Sequence, residues 1–349
     1  MKRRVSRKIY YGRVAVGGDA PISIQSMTNT KTADLPKTID QIEELTAAGC
    51  EIIRVAVPDL PTAQKLSSLK KAINLPLIAD IHFDYRLALE AIKQGVDGLR
   101  INPGNIGRRA RVEAVVRAAK EAGIPLRIGV NSGSIERDLL NKYGGPTAAA
   151  MVESALQHIK ILEELGFYDM VISLKSTDII MTIESYQLMA AQVDYPFHIG
   201  ITEAGSLYSG TIKSAVGMGG LLTRGLGDTI RVSLTGNPVE EVRVGWQILQ
   251  SLRLRQRGPV VISCPTCGRT EIDLEKLTVQ VEQAVSKLDK QLTIAVMGCA
   301  VNGPGEAREA DLGIAGGKGA GLVFKKGKLL RKVSEDQLLA VLLQEIEKM

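Results

Sequence analysis

Between residues 22 and 234 one pattern recurs eight times: a short run rich in apolar and β-branched residues, then a longer stretch with helical spacing. The runs occupy residues 22–27, 52–57, 77–82, 98–103, 126–131, 170–175, 198–203 and 229–234. Their composition suits strands, because branched side chains are stiff at χ1 and pack well on a pleated surface. Three of the intervals, 38–49, 112–123 and 151–166, end in glycine, which adopts the left-handed turn past a helix at little cost. Eight strand-then-helix units of about thirty residues predict an α/β chain folded as a (β/α)8 TIM barrel. A doubly wound parallel sheet is the alternative, since counting repeats does not establish closure.

After residue 234 the pattern changes. An amphipathic stretch from Pro238 to about Leu254 predicts a helix that closes the barrel, and Arg255-Gln-Arg-Gly258 reads as a boundary. The division expected is a barrel over residues 1–256 and a small α+β module over 257–349, within the usual size of a domain. In the module the pattern predicts a strand, a helix at 279–288, a second strand, short strands at 312–315, 321–324 and 329–333, and a terminal helix at 335–348.

Within the barrel runs the polar residues fall late: Arg54, Asp80 and His82, Arg100 and Asn102, Arg127 and Asn131, Lys175, Glu203, and Arg231 with Ser233. In a barrel these ends share one mouth, where barrel enzymes keep their active sites. Cations from five strands converging there are costly to bury without an anion. A diphosphate meets that need, because guanidinium forks grip phosphate oxygens bidentately. The competing reading pairs each charge with a carboxylate or carries it out to water. Glu203 can be read as an acid/base group or as an ion-pair partner of Lys175 or Arg231. His82 can be read as a catalyst or as a hydrogen-bonded structural group. Cys50, behind Gly49 on the opposite rim, reads as a small buried apolar residue.

The other three cysteines form a pattern of their own. Cys264-Pro-Thr-Cys267 follows the strand-like run 260–263, and Cys299 follows the run 292–297 and opens Cys299-Ala-Val-Asn-Gly-Pro-Gly-Glu306. Adjacent strands would bring a loop with two thiols against a loop with one. A structural zinc site wants four Cys or His ligands, and no histidine occurs after His198. An iron–sulfur cluster accepts three thiolates with a different fourth ligand, and soft thiolates select for such clusters. A [4Fe-4S] cluster is therefore the first reading, with zinc and no metal as alternatives. A redox dithiol fits less well, because the thioredoxin-like context is absent.

Bulk properties narrow the classes further. Aromatic residues make up 4% of the chain, too few for base-stacking platforms, and no nucleic-acid-binding motif accompanies the formal charge of +6. That charge suits polyanionic small molecules equally well. The longest apolar runs are too short to span a bilayer, and no apolar segment follows the basic N-terminus as in a secretory signal. Four cysteines in 349 residues make no disulfide scaffold, so a reducing, cytoplasmic setting is expected.

Several stretches together resemble a known family, the 4-hydroxy-3-methylbut-2-enyl diphosphate synthases of non-mevalonate isoprenoid (terpenoid) biosynthesis. They are Ser23-Ile-Gln-Ser-Met-Thr-Asn-Thr, Ala79-Asp-Ile-His-Phe, Arg100-Ile-Asn-Pro-Gly-Asn, Ile128-Gly-Val-Asn-Ser-Gly-Ser, Ile201-Thr-Glu-Ala-Gly, Gly227-Asp-Thr-Ile-Arg-Val-Ser-Leu, Cys264-Pro-Thr-Cys and Gly298-Cys-Ala-Val-Asn-Gly-Pro-Gly-Glu. The resemblance implies an oxidoreductase with a TIM barrel and a small domain like those of sulfite and nitrite reductases, in the short bacterial form. It implies a [4Fe-4S] cluster on Cys264, Cys267, Cys299 and Glu306, with Glu306 also taking part in catalysis by giving way to substrate. The implied reaction is the two-electron ring opening of 2-C-methyl-D-erythritol 2,4-cyclodiphosphate to the linear hydroxymethylbutenyl diphosphate and water. Arg54, Arg100, Asn105, Arg127, Asn131, Lys175, Arg231 and Ser233 would hold the cyclic diphosphate, and Glu203 or His82 would deliver the proton. Flavodoxin or ferredoxin would supply electrons, and a homodimer would form in which the cluster domain of one chain caps the barrel of its partner. Two other classes remain open at this point. One is a cluster-dependent hydro-lyase, which needs no external electrons; the other is a zinc-stabilised basic binding protein.

Overall fold

The computed structural model describes all residues except 1, 287, 300–304, 306, 307 and 318, and the side chain of Pro103. It divides into two compact units, Met1–Arg255 and Gln256–Met349. The first opens with a hairpin of β1 (Ile9–Tyr11) and β2 (Val14–Val16), turning at Gly12, whose φ of 52° favours glycine. Eight parallel strands follow: β3 (Ser23–Met27), β4 (Ile52–Ala56), β5 (Leu77–Asp80), β6 (Gly98–Ile101), β7 (Leu126–Asn131), β8 (Met170–Lys175), β9 (His198–Ile199) and β10 (Thr229–Ile230). They lie in the order β8-β7-β6-β5-β4-β3-β10-β9, and a parallel bridge between Ile172 and Phe197 joins the two ends. That closure is a TIM barrel and removes the doubly wound sheet.

Local signals set the helices around it. Asp34 accepts a hydrogen bond from the Lys37 N–H at the start of the helix Leu35–Ala48, and Gly49 ends it at φ 101°. Asp59, Asp84, Thr147, Asp178 and Asn237 cap later helices through their side chains. The apolar faces of these helices and the outward residues of the strands form one continuous core that includes Ile24, Ile53, Val55, Leu99, Ile128, Ile172 and Leu174.

The inward residues are different in kind. At the N-terminal end of the barrel Ile52, Ile78 and Val171 pack with Ile9, Tyr11 and Val16 of the hairpin into a separate apolar cluster. Two residues further along the same strands the lining becomes polar, at Arg54, Asp80 and Ser173. The hairpin was not among the eight expected runs, and it plugs the far end of the barrel.

The seam between β8 and β9 is irregular. Above the Ile172–Phe197 bridge, the Tyr186 hydroxyl accepts from the Leu174 N–H at 3.0 Å and donates to the His198 carbonyl at 2.6 Å. A side-chain oxygen stands where a direct ladder bond would otherwise join the strands.

The second unit is a five-stranded sheet in the order β11 (Val260–Ser263), β12 (Thr293–Met297), β13 (Leu312–Gly317), β14 (Ala320–Lys325) and β15 (Lys328–Val333). The first three are parallel and the last two join antiparallel. The helices Leu274–Val285 and Leu338–Glu347 bury Val281, Val285, Leu338 and Leu342 against it. The middle helix starts five residues before the expected one, because Asp273 caps it through the Lys276 N–H.

Candidate active site

The barrel mouth holds a cavity of about 150 Å³ lined by Arg54, Asp80, His82, Arg100, Arg127, Asn131, Ser173, Lys175, Thr202, Arg231 and Ser233. Parallel register brings these residues together. Arg100 stands beside Asp80 on one side and Arg127 on the other, and Lys175 stands beside Asn131. Of the residues expected to hold an anion, all except Asn105 line this cavity. Asn105 lies in the short helix Pro103–Ile106 beyond β6.

The charges are unevenly compensated. Asp80 is shared by Arg100 at 3.3 Å, Arg54 at 3.7 Å and the His82 Nε2 at 3.8 Å. Arg231 pairs at 3.2 Å with Glu241, a buried carboxylate on the barrel-closing helix Pro238–Ser251. Glu241 also accepts from the Leu234 N–H at 2.9 Å, and burial pushes its carboxyl up despite the pull of Arg231. The Met27 sulfur accepts from Arg54 at 3.2 Å and lies 3.9 Å from Arg231, so one thioether sits between two guanidinium groups.

Two cations have no carboxylate among the described residues. Arg127 is 1% exposed and donates to the Gln25 Oε1 at 2.7 Å, and burial pushes its guanidinium down to about 10. It is the second residue of β7 and forms the floor of the site, not its rim; the expectation that it falls late on its strand was wrong. Lys175 makes no hydrogen bond or ion pair among the described residues. Burial and then Arg127, Arg231 and Arg100 hold its amine well below the usual lysine range, against Asp80.

Glu203 does not pair with Lys175 or Arg231. It is exposed on the loop after β9 and has a left-handed backbone at φ 51°, uncommon for a residue with a side chain. Sequence reading missed Glu241, Gln25, Ser173 and Thr202. The signal for Glu241 was an acidic residue on the apolar face of an amphipathic helix. Nothing marked the others apart from ordinary strand polar residues. Cys50 is buried with its Sγ 3.2 Å from the Ile52 carbonyl, and burial pushes its thiol up to about 12, as suits a core residue.

Glycines shape the cavity wall at two points. A Cβ on Gly129 would stand 2.8 Å from the Arg100 Nε, so the bare backbone of β7 is what lets that guanidinium lie across it. A Cβ on Gly200 would stand 2.4 Å from the Arg231 carbonyl and 3.8 Å from the Lys175 Nζ.

In the second unit the thiols share one end of the sheet. Ser263 is in register with Val296, so Cys264 and the Gly298-Cys299 pair leave neighbouring parallel strands at nearly the same level. The Gly298 N–H donates to the Cys264 Sγ at 3.2 Å, and the Glu271 N–H donates to the Gly298 carbonyl at 3.0 Å. Cys267 is exposed, and hydrogen bonds from the Arg269 backbone and side chain lower its thiol. Among the described residues no three Cys, His, Asp or Glu side chains converge on one point. Soft sulfur donors on adjoining loops, with N–H groups supplied to the sulfurs, fit an iron–sulfur group better than a hard cation. Glu306 lies outside the described residues.

Two family profiles match the chain: the GcpE TIM-barrel domain over residues 6–246 and the GcpE protein C-terminal domain over residues 260–348. The chain belongs to the GcpE family. It is 60% identical over 347 residues to the 4-hydroxy-3-methylbut-2-en-1-yl diphosphate synthase (flavodoxin) of Caldanaerobacter subterraneus subsp. tengcongensis, covering 99% of this chain and 98% of that one. It is 58% identical to the protein of the same name from Clostridium acetobutylicum, over the full length of both. Among solved structures, the Bacillus subtilis spore coat polysaccharide biosynthesis protein spsE superposes with a TM-score of 0.51 at 11% identity. It covers 71% of this chain and 72% of that one, a likeness of fold alone. GcpE membership and the barrel geometry therefore agree on the architecture.

Proposed function

We infer that this chain is an oxidoreductase, a 4-hydroxy-3-methylbut-2-en-1-yl diphosphate synthase. It opens the ring of 2-C-methyl-D-erythritol 2,4-cyclodiphosphate with two electrons and releases the linear diphosphate and water, a step of non-mevalonate isoprenoid biosynthesis. The observation that carries this reading is the charge count at the barrel mouth. Arg54, Arg100, Arg127, Lys175 and Arg231 face Asp80 and Glu241, so cations exceed carboxylates where a diphosphate would lie.

In our reading Arg54 and Arg100, already braced by Asp80, grip one side of the anion. Lys175, Arg231 and the floor residue Arg127 grip the other, with Asn131 and Ser233 donating from the rim. Fixing both phosphates orients the carbon–oxygen bond that breaks. Asn105 belongs to the same loop system, and any contact it makes runs through the segment after β6.

A [4Fe-4S] cluster held by Cys264, Cys267, Cys299 and Glu306 would supply electrons one at a time. The relatives' name makes flavodoxin the favoured donor, with ferredoxin as the alternative. We assign proton delivery to Glu203, whose strained backbone is the kind of local cost that persists where function needs it. His82, which lines the cavity beside Asp80, is the second candidate. We further propose a homodimer in which the cluster domain of one chain caps its partner's barrel. Tyr208, Ile212 and Val216 support an interface of some kind, as an exposed apolar stripe at helical spacing on Leu207–Leu222, with Ile180 exposed on the neighbouring helix. We place the enzyme in the cytoplasm, where thiols stay reduced; no helix among the described residues is long and apolar enough to cross a membrane.

Anaerobic turnover tests the reading. Reconstituted protein mixed with the cyclodiphosphate and a one-electron reductant should form linear diphosphate, detected by mass spectrometry, only when both iron and reductant are present. No linear diphosphate from protein that holds its iron and is supplied with reductant would overturn the substrate assignment and move the chain to the hydro-lyases.

A further inference from the structure

Five cationic side chains reach one cavity, and the carboxylates beside them are already engaged. Asp80 serves Arg54 and Arg100, and Glu241 serves Arg231. Lys175 receives neither. Its Nζ would stand 3.8 Å from a Cβ on Gly200, with Arg127 of β7, Arg100 of β6 and Arg231, just past β10, as its charged neighbours. The remaining titratable groups facing it are Asp80 of β5, His198 of β9 and Glu241 of the barrel-closing helix. His198 is 0% exposed, both ring nitrogens lack a partner among the described residues, and burial among the same cations keeps it neutral. Both carboxylates are held by guanidinium groups, and among the described residues neither forms an ion pair with the Lys175 amine.

Guanidinium groups hold their protons under such crowding, whereas an amine gives its proton up readily when desolvated beside like charges. We propose that Lys175 stands as a neutral amine before substrate arrives and takes one proton from solvent when the diphosphate binds. Burial and the three guanidinium groups act in the same direction on that amine, which supports the assignment. The inference rests on the diphosphate reading and adds to it: one of the five cations is switchable, and the anion itself switches it. Ring opening breaks a carbon–oxygen bond and turns a ring phosphate into a terminal phosphate with one further negative charge, so an ammonium formed at binding is in place to meet it.

The cyclodiphosphate is a suitable probe, because each of its phosphates is both ester and anhydride, keeps one strongly acidic ionisation and does not titrate near neutral pH. Holoenzyme without reductant, titrated calorimetrically in buffers of different ionisation enthalpy, should take up about one proton per ligand bound. Over the range in which the free amine is neutral and the bound one charged, affinity should fall about tenfold per pH unit as pH rises. Lys175→Met should bind more weakly and show no uptake. Lys175→Arg keeps a charge that cannot be shed, so it should bind with no uptake and a flat pH profile. Binding by the unaltered enzyme with buffer-independent heat overturns the inference alone, as does undiminished uptake by Lys175→Met or Lys175→Arg. Absence of any binding by folded holoenzyme overturns the diphosphate reading along with it.

Discussion

The barrel and the second unit build their sites in opposite ways. In the barrel most of the charged groups sit on strands, and register fixes their height: Arg100 beside Asp80 and Arg127, Lys175 beside Asn131. Neighbours then tie several of those groups down, through Glu241, Gln25 and the Met27 sulfur. In the second unit the strands stop short of the chemistry. Cys264, Cys267 and Cys299 stand just past β11 and β12, on loops fixed by a few N–H bonds. A site for a diphosphate profits from a rigid wall, because positioning depends on holding several oxygens at once. A site for a metal group needs side chains that can close on their ligand, and binding then supplies order the loops lack alone.

Substitutions can break this contrast. The largest effect is expected at the thiols: Cys299→Ser should lose most iron and turnover while calorimetry still finds the cyclodiphosphate binding to the barrel. Equal iron and activity would remove Cys299 from the ligand set. Next comes Glu241→Ala, which strands Arg231 and should cost about 3 kcal/mol of barrel stability in denaturant unfolding, leaving the absorption of the iron group intact. Gly129→Ala sharpens the comparison further, because the new methyl must displace Arg100. Affinity for the cyclodiphosphate should fall by on the order of tenfold, corresponding to about 1.4 kcal/mol, with little change in iron content. Glu203→Gln should keep binding and iron yet lose most turnover, whereas His82→Asn loses less; the reverse ranking assigns the proton to His82.

The smallest effect expected concerns pH. Glu136, bonded to His158 at 3.1 Å, has its carboxyl lowered from 4.5 to about 2, chiefly by that bond. A carboxyl lowered on folding contributes stability that is complete above its unfolded value and is lost as pH falls through the folded one. Acid unfolding between about pH 4.5 and 2 should therefore include a component that His158→Ala removes.

Much of the barrel was legible in the sequence because its repeat is local. All eight strands fall inside the expected runs, since alternation and β-branching belong to consecutive residues. The ladders of β9 and β10 are only two residues long where six-residue runs were expected. Beyond Ile199 and Ile230 these chains turn toward loops at the mouth, and no local pattern distinguishes a paired residue from an extended one. The cations of the site were legible for the same reason as the strands: register follows from sequence position. Their partners were not, because Glu241 reaches Arg231 from a helix and Gln25 reaches Arg127 from another strand. The hairpin of β1 and β2 lies before the first repeat and has strands of only three residues, too short for periodicity to register.

That hairpin has a consequence for traffic. With Tyr11 laid over Gly98 and Ile9 and Val16 packed below the charged floor, the barrel is a well with a stopper in its base. The cyclodiphosphate, the linear product and the water released with it all pass through the same opening. Departure therefore has to come before the next arrival.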